Sequence, residues 1–290
     1  MIPLLFAALV VGAGAAWRAF AGRRIERAYG ASHPTDAEGV VIGGGSFLLE
    51  GTNDRGLLLL HGSGDTPQTL RYFGERLNAA GYTVYAPLLP GHGRSPRAFT
   101  RVSARGYRAA AEEALDVVRA KAPWVGVVGL SMGGAIAAQL AATSSDVRVL
   151  VLLAPYLTPP AHVQWIARLS PVWGLVQPQL AGRGERSVHD PAARDTSHAY
   201  GTFPPRALRA LVATAAAGRA ALRQVTVPTL VVNSREDNRI PSALAEHATA
   251  TLRAPVERKW VEGCGHVITV DYCRDTVADL TLDFLARQDD

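Results

Sequence analysis

Trp124-Val125-Gly126-Val127-Val128-Gly129-Leu130-Ser131-Met132-Gly133-Gly134 is the stretch on which the reading of this chain turns. Its first five residues make an apolar run of buried-strand type. A G-x-S-x-G motif follows, and then Ala135-Ile136-Ala137-Ala138-Gln139-Leu140-Ala141-Ala142, which is rich in helix formers. A strand that ends in this motif and passes into a helix turns sharply and lifts the serine hydroxyl above the sheet edge. Glycines two before and two after Ser131 let the backbones approach without a Cβ clash. The stretch therefore predicts a serine nucleophile for acyl transfer.

A serine hydroxyl is a poor nucleophile at neutral pH. It needs a histidine base, and the base needs a carboxylate to fix its tautomer. With an elbow of this kind the chain order is Ser, then Asp or Glu, then His. Val227-Pro228-Thr229-Leu230-Val231-Val232-Asn233 reads as a buried strand, and the loop Ser234-Arg235-Glu236-Asp237-Asn238-Arg239 follows it. A carboxylate there sits at the carboxyl end of a strand, where open α/β sheets carry their sites. Asp237 is favoured, because Asp-x-x-Ile-Pro241 puts it just before the proline that opens the next helix. Glu236 is the competing acid and reads as a solvated neighbour. The base is His266, in Gly263-Cys264-Gly265-His266-Val267-Ile268 after the strand-like Val256–Val261. His33, His162, His189, His198 and His247 read as surface or capping residues.

Leu57-Leu58-Leu59-Leu60 is a further buried-strand run and ends in His61-Gly62-Ser63-Gly64. Acyl transfer builds negative charge on the carbonyl oxygen, which two backbone N–H donors can stabilise. One donor is expected from Met132 and the other from Ser63, with Gly64 as the alternative. His61 reads as a buttress of this loop. Pro90-Gly91-His92-Gly93 reads as a turn near the site, without chemistry of its own.

Together, His61–Gly64, Pro90–Gly93, Gly129–Gly134, Asp237-x-x-Ile-Pro241 and His266-Val267-Ile268-Thr269-Val270-Asp271 resemble the α/β-hydrolase superfamily, and within it the bacterial carboxylesterase and monoacylglycerol lipase group. The resemblance runs from about Phe47 to the C-terminus. It implies an α/β fold with a mostly parallel eight-stranded sheet flanked by helices, and a triad of Ser131, Asp237 and His266. It implies no metal and no cofactor. Two positions depart from the pattern: Cys264, where relatives often carry a small polar residue, and Ser63, where they often carry a bulky apolar one.

At 290 residues the chain fits one large α/β domain with an insertion. Hydrophobic residues make up 48%, enough for a sizeable core. The net charge of +5 is carried by scattered arginines; Lys121 and Lys259 are the only lysines. Nothing interleaves these cations with aromatics, so nucleic acid is not an expected partner. Two cysteines, Cys264 and Cys273, are too few for a disulfide framework and are compatible with a reducing compartment. The stretch 155–206 departs from strand-helix alternation and reads as a cap or lid. Its Trp165, Leu169 and Trp173 are candidates for lining an acyl pocket, or for packing the cap on the body.

Residues 1–27 form a separate N-terminal segment, with the catalytic domain over 28–290. Ile2–Trp17 is uncharged and is followed by Arg18, Arg23, Arg24 and Arg27. Positive flanks stay cytoplasmic, and no basic region precedes the apolar run. Membrane association through residues 1–22, with the enzyme on the cytoplasmic side, is the expectation. A cleaved export signal and a helix packed on protein are the alternatives. The expected substrate is a small-molecule ester or lipid. Thioesterase, peptidase or acyltransferase chemistry on the same triad, and a non-catalytic ligand-binding relative, are the competing readings. Acyl-chain length, alcohol and oligomeric state are left open.

Overall fold

The computed structural model describes residues 2–182 and 187–288, with side chains from residue 12 onward. In chain order the elements are helix α1 (Ile2–Ser32), β1 (Phe47–Leu49), β2 (Arg55–Leu60), α2 (Arg71–Ala79), β3 (Thr83–Ala86), α3 (Pro96–Phe99), α4 (Ala104–Arg119), β4 (Trp124–Leu130), α5 (Met132–Thr143) and β5 (Val147–Leu153). Then come α6 (Ala161–Arg168), α7 (Ser170–Trp173), β6 (Leu180–Ala181), α8 (Pro191–Asp195), β7 (Thr202–Phe203), α9 (Pro205–Ala221), β8 (Thr229–Ser234), α10 (Ser242–Thr249), β9 (Val256–Val261) and α11 (Arg274–Ala286).

The main sheet has seven strands in the order β1-β3-β2-β4-β5-β8-β9. Only β1 runs antiparallel, against β3. The expected eighth strand does not form. The chain ahead of β1 makes only an isolated bridge between Thr35 and Val41. Gly43, with φ 80°, and the two glycines after it then turn the backbone out of extended form.

Why these segments are the middle of a parallel sheet follows from their composition. β2, β4, β5 and β8 are near-continuous apolar runs, which suits strands covered on both faces. Successive side chains point to opposite faces. Leu58 and Leu60 join a core with Tyr107, Ile136 and Leu211, while Leu57 and Leu59 join another with Phe73, Val128 and Phe284. Helices α4, α5 and α9 thus cover one face, and α2 and α11 the other. At the edge, β9 exposes Arg258 and Lys259, charges that discourage pairing with a further strand.

From β2 the chain goes to β3 on one side, then crosses to β4 on the other. The strand order therefore reverses between β2 and β4, which pair in register from Arg55↔Trp124 to Leu60↔Gly129. Ligand crevices in open α/β sheets lie at such a switch point, beyond the carboxyl ends of the strands. Both glycine motifs, His61–Gly64 and Gly129–Gly134, emerge there side by side.

Between β5 and α9 the chain forms short helices and a two-stranded antiparallel ribbon of β6 and β7. α1 is anchored at its C-terminal end, where Tyr29 donates its hydroxyl to the His198 carbonyl at 2.9 Å and stacks on His33. His33 and His198 are thus docking residues as well as surface ones. No helix is long and apolar enough to cross a membrane among the described residues. The side chains of residues 1–11, on which most of the expected anchor rests, lie outside the described residues.

Candidate active site

Ser131 ends β4 and begins α5 with φ 55° and ψ −116°, a backbone region that side chains other than glycine rarely adopt. The conformation is pinned from both sides. Its N–H donates to the Leu153 carbonyl at 2.9 Å, and its carbonyl accepts from Tyr156 N–H at 2.9 Å. The flanking glycines are sterically required. A Cβ on Gly129 would lie 2.3 Å from the Gly133 backbone, and one on Gly133 would lie 2.0 Å from the Leu60 carbonyl oxygen. Gly133 therefore makes room for β2, the neighbouring strand, rather than for its own.

The structure brings Ser131, His266 and Asp237 together. His266 Nε2 lies 2.8 Å from Ser131 Oγ, and its Nδ1 lies 2.7 Å from Asp237 Oδ2. An ionised carboxylate accepts only, so Nδ1 carries the proton and Nε2 is left to accept from the serine hydroxyl. Asp237 comes from the loop after β8. Its Oδ1 accepts the N–H groups of Arg239 at 2.7 Å and Ile240 at 2.9 Å, which leaves Oδ2 facing the imidazole. Burial pushes the Asp237 carboxyl up; His266 and the two N–H donors outweigh it and hold the group below the usual carboxylate range. Glu236 points elsewhere. It accepts from Gly263 N–H at 3.1 Å and faces His189 at 3.5 Å.

Above β2, Gly62 lies so close to the nucleophile that a Cβ there would meet Ser131 Cβ at 3.4 Å. Gly64 N–H is already spent on His92 Nε2 at 2.9 Å. The N–H groups of Ser63 and Met132, the two donors expected from the sequence, have no acceptor among the described residues. Two buried histidines fix this loop. His61 donates from Nδ1 to the Gly62 carbonyl and accepts Leu89 N–H at Nε2, while His92 donates from Nδ1 to the Pro90 carbonyl. Burial drives both pKa values down, that of His92 to about 4 and that of His61 well below its ordinary value. Both are neutral clamps. The turn at Pro90–Gly93 thus holds the loop after β2, a role that only the fold reveals.

Cys264 and Cys273, too few for a disulfide framework and compatible by number with a reducing compartment, pair in a single disulfide. The chain between them turns back on itself around His266, bringing their Cα atoms to 5.8 Å. Within this loop Gly265 N–H donates to Asp271 Oδ2 at 2.8 Å, and Val267 N–H donates to the Ser187 carbonyl at 2.9 Å. Ser234 Oγ donates to the Cys264 carbonyl and ties the loop to the end of β8.

The aromatic candidates of the 155–206 stretch fall elsewhere. Trp165 is 60% exposed and Leu169 54% exposed. Trp165 lines an open groove of about 620 Å³ between α6 and α9, whose lining includes none of Ser131, Asp237 and His266. Trp173 donates its indole N–H to the Ile166 carbonyl. Of α6 only Ala167 is buried, and Trp165 and Ile166 are left outside. No group of three or more His, Cys, Asp or Glu side chains is arranged to hold a metal ion among the described residues.

A family model described as serine aminopeptidase, S33, matches residues 51–272. The chain is 28% identical over 235 residues to a thermostable monoacylglycerol lipase of Bacillus sp. strain H-257, covering 80% of this chain and 90% of that one. It is 26% identical over 245 residues to a carboxylesterase of Bacillus subtilis strain 168, covering 84% and 96%. Among solved structures it resembles one from work on the metagenome-derived lipolytic enzymes LipS and LipT, with a TM-score of 0.79 and 25% identity over 86% of this chain and 99% of that one.

Proposed function

Because the chain belongs to the serine aminopeptidase S33 family of α/β-hydrolases, we propose that it cleaves carboxylic esters through an acyl-enzyme on Ser131. The observation that carries this reading is the relay from Asp237 Oδ2 through His266 to Ser131 Oγ, at 2.7 and 2.8 Å. The lipase and carboxylesterase relatives support an ester over a peptide.

Ser131 Oγ attacks the substrate carbonyl while His266 Nε2 takes its proton. The carbonyl electrons move onto oxygen, which the N–H groups of Ser63 and Met132 hold. His266 returns the proton to the leaving alcohol as the ester C–O bond breaks. Water then attacks the acyl-serine, giving its proton to His266, and Ser131 recovers a proton as the acid departs. Asp237 keeps the imidazole oriented and stabilises its charged form throughout.

The test is a fluorophosphonate adduct mapped by mass spectrometry, beside p-nitrophenyl esters of increasing chain length and an aminoacyl-coumarin peptide substrate. An adduct on Ser131 with ester turnover is expected, and the chain-length optimum separates a short-ester esterase from a lipid hydrolase. A folded protein without adduct or turnover would sink the proposal, and turnover of the peptide alone would make the enzyme a peptidase.

We also propose a membrane-proximal location, supported by the uncharged run Ile2–Trp17. The arginines after it argue for the cytoplasmic side, whereas the Cys264–Cys273 bond favours an oxidising compartment. The bond is the stronger argument, since stable disulfides are rare in the cytoplasm of mesophiles. Fractionation with and without detergent, followed by thiol labelling of freshly lysed cells, checks both points. Free thiols on the cellular protein would restore the cytoplasmic placement.

A further inference from the structure

We propose that Asp271 is a positioning residue for His266, tying the loop that carries the base to the chain at 187–190. The inference rests on the reading of Ser131 and His266 as the acyl-transfer pair.

Asp271 is 1% exposed, and no basic side chain pairs with it among the described residues. Backbone donors fill its place. Oδ2 accepts Gly265 N–H at 2.8 Å and His189 N–H at 2.7 Å, and Oδ1 accepts the N–H groups of Asp190 and Tyr272, each at 2.9 Å. A buried carboxylate is costly unless its lone pairs are filled, and here all four acceptor sites are. Burial raises the Asp271 carboxyl and the four donors more than offset it, so the group stays ionised at neutral pH. Two donors belong to its own loop. The other two lie 82 and 81 residues away in sequence. The carboxylate is therefore a junction between two segments.

The residues on either side of the base are both held through this junction. Gly265, just before His266, is fixed by Asp271, and Val267, just after it, is fixed by the Ser187 carbonyl. Asp271 in turn holds that same remote segment at His189 and Asp190. The disulfide closes the span of the loop, and the peptide between Cys264 and Gly265 is held at both ends, its carbonyl by Ser234 Oγ and its N–H by the Asp271 carboxylate. The carboxylate holds the end next to His266, and with it the approach of Nε2 to Ser131 Oγ. A misplacement of about 1 Å in a reacting group costs on the order of 10²-fold in rate. Asp271 is buried with its acceptor sites filled by backbone donors, which leaves it no contact to make with an ester, so the expected signature is a lower kcat at unchanged KM.

The experiment uses the full chain as wild type, Asp271→Asn and Asp271→Ala, each checked for its thermal midpoint and intact disulfide. Steady-state turnover of p-nitrophenyl butyrate is measured with the rate of fluorophosphonate labelling at Ser131. Asparagine keeps one acceptor oxygen, so kcat and labelling should fall roughly 10–100-fold with KM within about twofold. Alanine should fall further. A folded Asp271→Asn protein within about twofold of wild type in both rates would overturn the inference. If that variant does not fold, Asp190→Pro serves, because φ −66° at Asp190 already suits proline and the change deletes one N–H at Oδ1. A fall in kcat of about threefold or more is expected there, and wild-type kcat would overturn the inference. A wild-type protein that neither labels nor turns over ester would remove the acyl-transfer reading and the inference with it; a wild type that labels, beside unaffected variants, removes the inference alone.

Discussion

The loops at the carboxyl ends of β2, β4, β8 and β9 and the stretch at 155–206 lie in the same chain but are built on different principles. In the first region directional contacts hold the loops around Ser131: Gly64 N–H on His92, Asp237 Oδ1 on two backbone donors, Gly265 N–H on Asp271. In the second, large apolar side chains such as Trp165, Val172 and Leu175 stand in solvent. Directional contacts can hold atoms at fixed distances, and apolar surface cannot. The comparison teaches that the two regions hold their side chains by different means. The loops fix the Asp237–His266–Ser131 distances through directional contacts, and the 155–206 stretch leaves large side chains outside the core.

The hardest break in this comparison is Ser131→Ala. It should lower ester turnover by about 10⁶-fold and abolish the fluorophosphonate adduct. Asp237→Asn should cost about 10⁴-fold in kcat by presenting the wrong tautomer to Ser131, while Glu236→Gln changes kcat less than about twofold. Equal losses in the two variants would erase the distinction drawn between these acids. His92→Gln should cost on the order of 10-fold by releasing Gly64 from its clamp.

The same residue sharpens the comparison through pH. A histidine whose folded pKa is depressed leaves the unfolded chain binding more protons in acid. Its stabilising contribution is full above the ordinary value of 6.5 and is lost as pH falls towards about 4. Urea unfolding midpoints should drop across that window in the wild type and fall less steeply in His92→Gln. Parallel pH curves would contradict the buried neutral assignment. The smallest effect is expected in the 155–206 stretch. Trp165→Ala and Leu169→Ala should alter kcat/KM for a butyrate ester less than about twofold, as substitutions at exposed positions usually do. A tenfold loss would place these side chains in the acyl path after all.

How far the site was legible depended on how local its causes are. The elbow is written in one continuous stretch, even though only Gly129 answers a contact within a few residues and Gly133 answers Leu60 of β2. Asp237 was separable from Glu236 for a local reason. The N–H groups two and three residues on close a tight loop over its Oδ1, which the Asp-x-x-Ile-Pro spacing encodes. His92 and Asp271 were not legible, since their partners lie 28 and about 80 residues away and meet them only after the sheet assembles. The number of cysteines says little here; their placement on either side of His266, nine residues apart, is the local signal for the bond. The sheet has one strand fewer than the resemblance implies, because the glycine run at 43–45 bends the chain ahead of β1.

The twisted backbone at Ser131 carries a further consequence, for evolution rather than for chemistry. A side chain held at φ 55° and ψ −116° stores roughly 1–3 kcal/mol of conformational strain. Glycine adopts that conformation freely. Ser131→Gly should therefore yield a protein that is inert and yet harder to unfold than the wild type, by about 1 kcal/mol in urea titration. Drift towards greater stability at this position leads directly away from activity. A serine at this position is thus kept by what its hydroxyl does and against what its backbone prefers.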